Sequence, residues 1–134
     1  MFKLGEIMDK QKANNVSPVV LAFVGDAVYS LFVRERLTFE NDGKSGTLNK
    51  LATEQVKATA QAEFVKDILQ LLSDEELAVF KRARNAKKST KAKHASVAEY
   101  NMSTGFEAVL GYLYLIGDND RLNFLLNKGK QHED

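Results

Sequence analysis

The longest apolar stretch of the chain runs from Pro18 to Val33 and holds a single acid, Asp26. Long segments elsewhere are rich in Ala, Leu, Glu, Lys and Gln, which favour helices. Few positions alternate between apolar and polar residues, as half-buried strands do. The pattern predicts an all-α protein. It also raises a question, because an ionised carboxylate is costly to place among apolar residues.

Local signals predict where the first helices begin and end. Ser17 and Pro18 suit the N-cap and first position of a helix that runs to about Leu37. Residues 40–46 are rich in turn formers and predict a loop. Helical sequence then extends over about residues 47–72, with or without a break.

Three further signals predict the helices of the second half. Ser73 and Glu76 have the spacing of a capping box, in which each side chain bonds the other residue's backbone N–H. Residues 101–117 form the next apolar helix, which Gly117 ends. Residues 120–129 suit a short last helix.

Composition narrows the class of protein. The 134 residues suffice for one domain, predicted over residues 1–134. The absence of Cys excludes disulfides and thiolate metal sites, and two His without a His-Glu-x-x-His pattern disfavour a His-based zinc site. No signal-peptide pattern is present, and the 16-residue run from 18 to 33 is too short for a membrane span. A cytoplasmic protein without a membrane partner is expected.

Charge is distributed unevenly. The net charge is +1, but residues 81–94 contain seven Lys or Arg and no acid. The rest of the chain carries 12 Lys or Arg against 18 Asp or Glu. A basic segment on an acidic body indicates a polyanionic partner. The alternative is a solvated loop without a binding role.

A second acid, Glu107, lies in an apolar segment like that of Asp26. Each acid has small residues four positions before and after it, on the same helix face: Ala22 and Ser30 around Asp26, and Ser103 and Gly111 around Glu107. Small residues allow another helix or a substrate to come close, so the two carboxylates converge if the faces meet.

Convergent carboxylates suggest a metal site. Like charges raise one another's pKa, and a hard divalent cation relieves that conflict. Oxygen ligands with open water positions suit Mg²⁺ bound together with a substrate phosphate. Combined with the basic segment, this arrangement indicates metal-assisted phosphodiester hydrolysis.

Two simpler interpretations remain open at this stage. Thr104 and Glu107 also have capping-box spacing, so Glu107 could serve only to cap its helix. Asp26 could serve only to accept hydrogen bonds from Tyr or Ser groups in the core.

Four segments follow one another along the chain: LAFVGDAVYSLFVRERL, NKLATEQVKATAQA, RARNAKKST and STGFEAVLGYLYLIG. In order and rough spacing they resemble the ribonuclease III catalytic domain in its compact form, Mini-ribonuclease III. The resemblance covers nearly the whole chain.

The resemblance implies an all-helical ribonuclease III endonuclease-domain fold that acts as a homodimer on double-stranded RNA. It implies Mg²⁺-dependent cleavage, with Mn²⁺ as a substitute, that leaves 5′-phosphate and 3′-hydroxyl ends. Compact members lack a separate double-stranded-RNA-binding domain and mature large-subunit (23S) ribosomal RNA precursors. A non-catalytic RNA-binding or assembly module with the same fold is the competing hypothesis, and a helical protein-interaction domain is a third.

Site residues follow from the resemblance position by position. Asp26 and Glu107 match metal ligands to which catalysis is assigned, and Phe23 matches an aromatic residue at the dimer interface. Beside Asp26, Gly25 either allows a neighbouring backbone or the substrate to approach, or serves simple helix–helix packing. The residues predicted to contact RNA phosphates are Lys50, Lys57, Arg84, Lys87, Lys88, Lys91 and Lys93.

The chain also departs from the larger ribonucleases III at three positions. Ala22, Val19 and Thr104 stand where those relatives have acids. The expected metal site is therefore poor in carboxylates, which favours ligation through water.

Overall fold

The computed structural model describes residues 3–41, 43–87 and 95–129. Those residues form helices and no strand, which confirms the all-α prediction. None of the helices is long and apolar enough to cross a membrane. In chain order the elements are α1 (Lys10–Asn14), α2 (Pro18–Glu40), α3 (Ser45–Val56), α4 (Ala58–Ile68), a 3₁₀ turn (Leu69–Leu71), α5 (Asp74–Asn85), α6 (Val97–Leu115) and α7 (Asn119–Leu126).

Helix α6 is the centre of the fold. It packs against α2 on one side and against α4 and α5 on others, while α3 lies mainly on α2 and α7 contacts α6. All but one of residues 103–113 are buried, and the exception is Glu107. Tyr29 of α2, Phe64 of α4 and Phe106 of α6 form a cluster of rings with centroids 5.2 to 5.7 Å apart. Burying these large side chains joins the three helices around one core.

Helices α2 and α6 touch backbone to backbone at two glycines. A Cβ added to Gly25 would lie 1.6 Å from the carbonyl oxygen of Glu107, and one on Gly111 would lie 2.0 Å from that of Leu21. No side chain fits in that space. Gly25 therefore stands in a helix interior, despite its helix-weakening tendency, because it admits a neighbouring backbone as predicted.

The predicted ends of the first helices need small corrections. Helix α2 begins at Pro18 as predicted but continues to Glu40, and α3 already begins at Ser45, so the loop is shorter than residues 40–46. The long second helix does break: Lys57 adopts an extended conformation (φ −70°, ψ 156°) between α3 and α4.

Capping explains the remaining boundaries. The predicted capping box of Ser73 and Glu76 is present at the start of α5. Helix α6 begins at Val97, four residues before the predicted start at 101, because Ser96 and Glu99 form a second capping box that the sequence analysis missed. The predicted last helix over residues 120–129 is observed as α7, which begins one residue earlier and ends at Leu126.

Candidate active site

The glycine contact between α2 and α6 brings Asp26 and Glu107 together. Gly25, next to Asp26, faces the carbonyl of Glu107 itself. The side chains of the two acids are close enough for Asp26 to act on the Glu107 carboxyl both by hydrogen bonding and by its charge. Asp26 is exposed and Glu107 is partly buried. The pair thus forms a small acidic site with one member open to solvent.

The electrostatics of the pair are unfavourable without a cation. Burial, followed by the hydrogen bond and negative charge of Asp26, raises the pKa of Glu107 from 4.5 to about 9, and a hydrogen bond from Gln61 lowers it only in part. At neutral pH, and without a cation, the Glu107 carboxyl therefore holds its proton. A divalent cation that displaces this proton gains two carboxylate ligands at once.

Both simpler interpretations of these acids are wrong. Glu107 lies in the middle of α6, whose N-cap is Ser96, and the Thr104 hydroxyl donates to the carbonyl of Tyr100 at 2.9 Å. Glu107 therefore caps no helix end. Asp26 is exposed rather than enclosed in the core, so it is not a core acceptor for Tyr or Ser.

Gln61 of α4 is a third polar residue at the site, and the sequence analysis missed it. Its side chain is 2% exposed. Its Nε2 donates to the carbonyl of Val56 at 2.6 Å and to Glu107 Oε2 at 3.4 Å. A signal was present in the sequence: Gln61 occupies the apolar stripe of α4 with Phe64 and Ile68, where a polar side chain needs a partner.

The donor set fits a hydrated hard cation. Asp26 and Glu107 supply carboxylate oxygens, and Gln61 Oε1 is a buried acceptor with no partner among the described residues. Within residues 3–41, 43–87 and 95–129, no cluster of three or more His, Cys, Asp or Glu could hold a metal. Two carboxylates match Mg²⁺, which keeps several waters and takes further oxygens from substrate phosphate.

The positions at which the chain departs from larger relatives cannot enlarge this set. Ala22 is buried and Val19 is 39% exposed, and neither carries a ligand. Thr104 is buried, with its hydroxyl bonded to a backbone carbonyl. The described part of the chain therefore has a site with few carboxylates, as expected.

The predicted RNA-contacting residues lie at different places. Lys50 is exposed on α3, and exposed Lys57 stands at the α3–α4 corner with its Nζ 2.6 Å from Glu54 Oε2. Arg84, at the end of α5, bonds Asn85 and lies over the ring of Phe80. Lys87 is exposed after α5. Outside the described residues lie Lys88, Lys91 and Lys93.

An apolar stripe runs along α2 beside Asp26. Val20, Phe23 and Leu31 are 51%, 69% and 53% exposed, and Ala27 lies between them on the same face. Phe23 is three residues from Asp26, so the stripe borders the acidic site.

These helices and their acidic pair define a nuclease domain of known type. The family model described as the ribonuclease III domain matches residues 19–118. The chain belongs to the ribonuclease III family and is an endoribonuclease, in the class that acts on double-stranded RNA. More closely, it falls in the Mini-ribonuclease 3 branch, which confirms the resemblance. The non-catalytic hypotheses are thereby left without support.

The matches cover most of this chain and most of the relatives described next. The chain is 45% identical to "Mini-ribonuclease 3" of Clostridium tetani over 126 residues, which covers 93% of this chain and 83% of that protein. It is 45% identical to the protein of that name from a Thermoanaerobacter strain, with 94% and 89% covered. A crystal structure of a Fusobacterium nucleatum protein superimposes with a TM-score of 0.75 at 31% identity, covering 84% of this chain and 90% of that one.

Proposed function

We propose that this endoribonuclease cleaves double-stranded RNA with Mg²⁺ held by Asp26 and Glu107, leaving 5′-phosphate and 3′-hydroxyl ends. Mn²⁺ would substitute for Mg²⁺. The observation that carries the proposal is the contact between two carboxyl groups that have no cationic side chain as a partner in the described part of the chain. The proposed substrate is the precursor of large-subunit (23S) ribosomal RNA, at its paired ends.

The residues of the pair have different tasks in this mechanism. Asp26 is exposed and presents an oxygen to the solvent side, where a phosphate would arrive. Glu107 is partly buried and held against α2, so it fixes the inner side of the site. When bound, Mg²⁺ supplies an activated water and offsets charge on the scissile phosphate.

The proposed active form is a homodimer joined through the apolar stripe of α2. Exposed apolar patches on monomers are usually small, and larger ones mark interaction sites. Phe23 is 69% exposed and central in the stripe, as expected of an interface residue. A second copy docked there would place two acidic sites near the two strands of one duplex.

Recognition is proposed to depend on charge and shape rather than on sequence. The A-form duplex displays phosphates and 2′-hydroxyls across a wide, shallow minor groove. The phosphate contacts proposed are those of Lys50, Lys57, Arg84 and Lys87, with Lys88, Lys91 and Lys93 from the basic segment.

A cleavage assay tests the proposal directly. Purified protein is incubated with a long RNA duplex and with a ribosomal-precursor stem, in Mg²⁺, in Mn²⁺ or in EDTA, and the products are separated on a gel. We expect cleavage in both metals and none in EDTA, with product ends that a ligase and a 5′-phosphate-dependent exonuclease accept. Cleavage that persists in EDTA would refute the metal role, and intact stems beside a cut long duplex would refute the ribosomal substrate.

A further inference from the structure

Gln61 is held where it can govern the orientation of Glu107. The backbone of Glu107 is fixed, because its carbonyl lies against Gly25 in the contact between α2 and α6. Only the side chain of Glu107 remains free to rotate. The Asp26 side chain approaches the Glu107 carboxyl from α2, and Gln61 Nε2 approaches Glu107 Oε2 at 3.4 Å from α4. The two contacts come from different helices and together restrict the rotation of the carboxylate.

The hydrogen bonds determine which way the Gln61 amide faces. Its NH₂ group lies between two acceptors, the Val56 carbonyl at 2.6 Å and Glu107 Oε2 at 3.4 Å. With the amide turned over, an oxygen would face both of those oxygens, which is repulsive. The short bond to Val56, the last residue of α3, therefore anchors the amide and aims its second N–H at Glu107.

A purely structural role explains this side chain poorly. Gln61 is 2% exposed on the apolar stripe of α4, and its Oε1 has no partner among the described residues. An unpaired buried acceptor costs about 1 to 3 kcal/mol. An apolar residue of similar volume would avoid that cost, although it would lose the bond to the Val56 carbonyl. The amide is therefore expected to serve the acidic site as well as the packing.

We propose that Gln61 is a positioning residue that holds the Glu107 carboxylate in its metal-binding orientation by donating from Nε2 to Oε2. The inference rests on the proposed role of Glu107 as a metal ligand. Groups that orient metal ligands typically contribute a factor of about 10 to 100 in metal affinity or activity when removed.

Gln61→Met tests the proposal, because Met has nearly the same length and volume without the amide. Mn²⁺ binding to the RNA-free protein is measured by the disappearance of free-ion signal in electron paramagnetic resonance. We expect the dissociation constant to rise about tenfold, and cleavage at low Mg²⁺ to fall and largely recover at high Mg²⁺. The control is Gln55→Met, since Gln55 accepts a hydrogen bond from Arg36 and lies on α3, outside the acidic site.

A merely structural role gives a different result. Gln61→Met would then lower the melting temperature but leave Mn²⁺ affinity within twofold of wild type, and added Mg²⁺ would restore nothing; that result overturns the inference. Should Gln61→Met not fold, Gln61→Asn is measured, because it keeps the amide but is one methylene too short to reach Glu107. The same tenfold weakening is expected, and unchanged affinity in this variant also overturns the inference.

Glu107→Gln, measured in parallel, separates this inference from the proposed function. If Glu107→Gln loses Mn²⁺ binding while Gln61→Met keeps it, the metal site stands and the positioning role fails. If Glu107→Gln binds Mn²⁺ as wild type does, the proposed metal site itself fails, and the role of Gln61 fails with it.

Discussion

Glu76 and Glu107 are both carboxylates placed among packed helices, but their surroundings differ. Arg121 donates to Glu76 Oε2 from Nε at 2.7 Å and to Oε1 from Nη2 at 2.8 Å. Although burial acts to raise the pKa of Glu76, the hydrogen bonds from Arg121 and Ser73 outweigh it, and its pKa lies below the ordinary value. Glu107 instead faces another acid, Asp26, and its pKa is raised to about 9.

The contrast is between an acid whose charge is balanced within the chain and an acid for which we propose a metal-binding role. The bidentate pair of Glu76 and Arg121 is complete within the chain and joins the start of α5 to α7. The pair of Asp26 and Glu107 has no such cationic partner in the part of the chain that the structure describes. A protein keeps such an unfavourable pair where a ligand relieves it.

The largest expected effect is on catalysis by the acidic pair. Asp26→Asn and Glu107→Gln preserve shape and remove the charge that we propose holds the metal. Each should lower kcat/KM on an RNA duplex by at least about 100-fold, equivalent to roughly 2.7 kcal/mol of transition-state stabilisation. Circular dichroism should show folded proteins. Near-normal turnover by either variant would remove that residue from the catalytic role.

Breaking the ion pair of Glu76 and Arg121 should lower the free energy of unfolding and leave the rate of RNA cleavage unchanged. Glu76→Gln leaves the Arg121 guanidinium, whose side chain is 27% exposed, without its ion partner. We expect a loss of about 2 kcal/mol in urea unfolding, less than for a fully buried pair because water reaches the arginine. Activity per folded molecule should not change. Glu63→Gln, which breaks an exposed pair with Lys66, is the matched control and should cost under about 1 kcal/mol.

Glu76 and Glu107 should also make the free energy of unfolding depend on pH in opposite directions. The lowered pKa of Glu76 contributes stability that is present above its unfolded value of 4.5 and is lost as the pH falls. The raised pKa of Glu107 contributes stability that is full below 4.5 and is lost as the pH rises toward 9.

Thermal unfolding in EDTA measures the pH dependence of stability assigned to Glu107. Between pH 5 and 8, Glu107→Gln should gain up to about 4 kcal/mol on wild type, because each pH unit between the unfolded and folded pKa values is worth about 1.4 kcal/mol. Added Mg²⁺ should stabilise wild type and reduce the difference, since a ligand of the folded state stabilises it. A difference that does not vary with pH would contradict the assignment of the unfavourable charge to Glu107.

Phe23→Ala tests whether the acidic pair is independent of the proposed dimer. Loss of an exposed aromatic from the apolar stripe should weaken self-association by about tenfold in sedimentation equilibrium and reduce cleavage of both strands. The pH dependence of stability assigned to Glu107 should persist, because Asp26 and Glu107 meet within one chain. A wild-type protein that is monomeric at micromolar concentration would contradict the dimer.

The smallest expected effect is on RNA binding by the basic residues that lie away from Asp26 and Glu107. Lys50→Gln with Lys57→Gln should reduce the slope of log affinity against log salt by about 1 to 2, on the B-DNA scale of about 0.9 per phosphate contact. Binding is measured in Ca²⁺ to limit turnover. The control is Lys66→Gln. In the wild type, Lys66 Nζ lies 3.0 Å from Glu63 Oε1, and Lys66 is not among the proposed RNA contacts. An unchanged slope would mean that the RNA contacts are made by the other basic residues and not by the α3–α4 corner.

Most of the helices could be predicted because their signals are local. Pro18 at the first position of α2 and the Ser73 capping box of α5 lie at the helix starts that they mark, whereas Ser17 occupies the N-cap of α2 without a side-chain capping bond. The start of α6 was misplaced although its own capping box, at Ser96, was equally local. The predicted start followed the apolar run after residue 100 and not the capping box. Sequence patterns indicate that a helix exists more reliably than they indicate where it begins.

The sequence by itself determined the helical class, the family and the two acids, because composition, periodicity and motif order are properties of the chain alone. Only the tertiary structure decided that Asp26 acts on the Glu107 carboxyl, that the pKa of Glu107 rises to about 9, and that Gln61 reaches it from a position 46 residues away in sequence. The physical reason is that desolvation and charge repulsion depend on distances between atoms. At this site those distances are determined by the close glycine contact of α2 with α6.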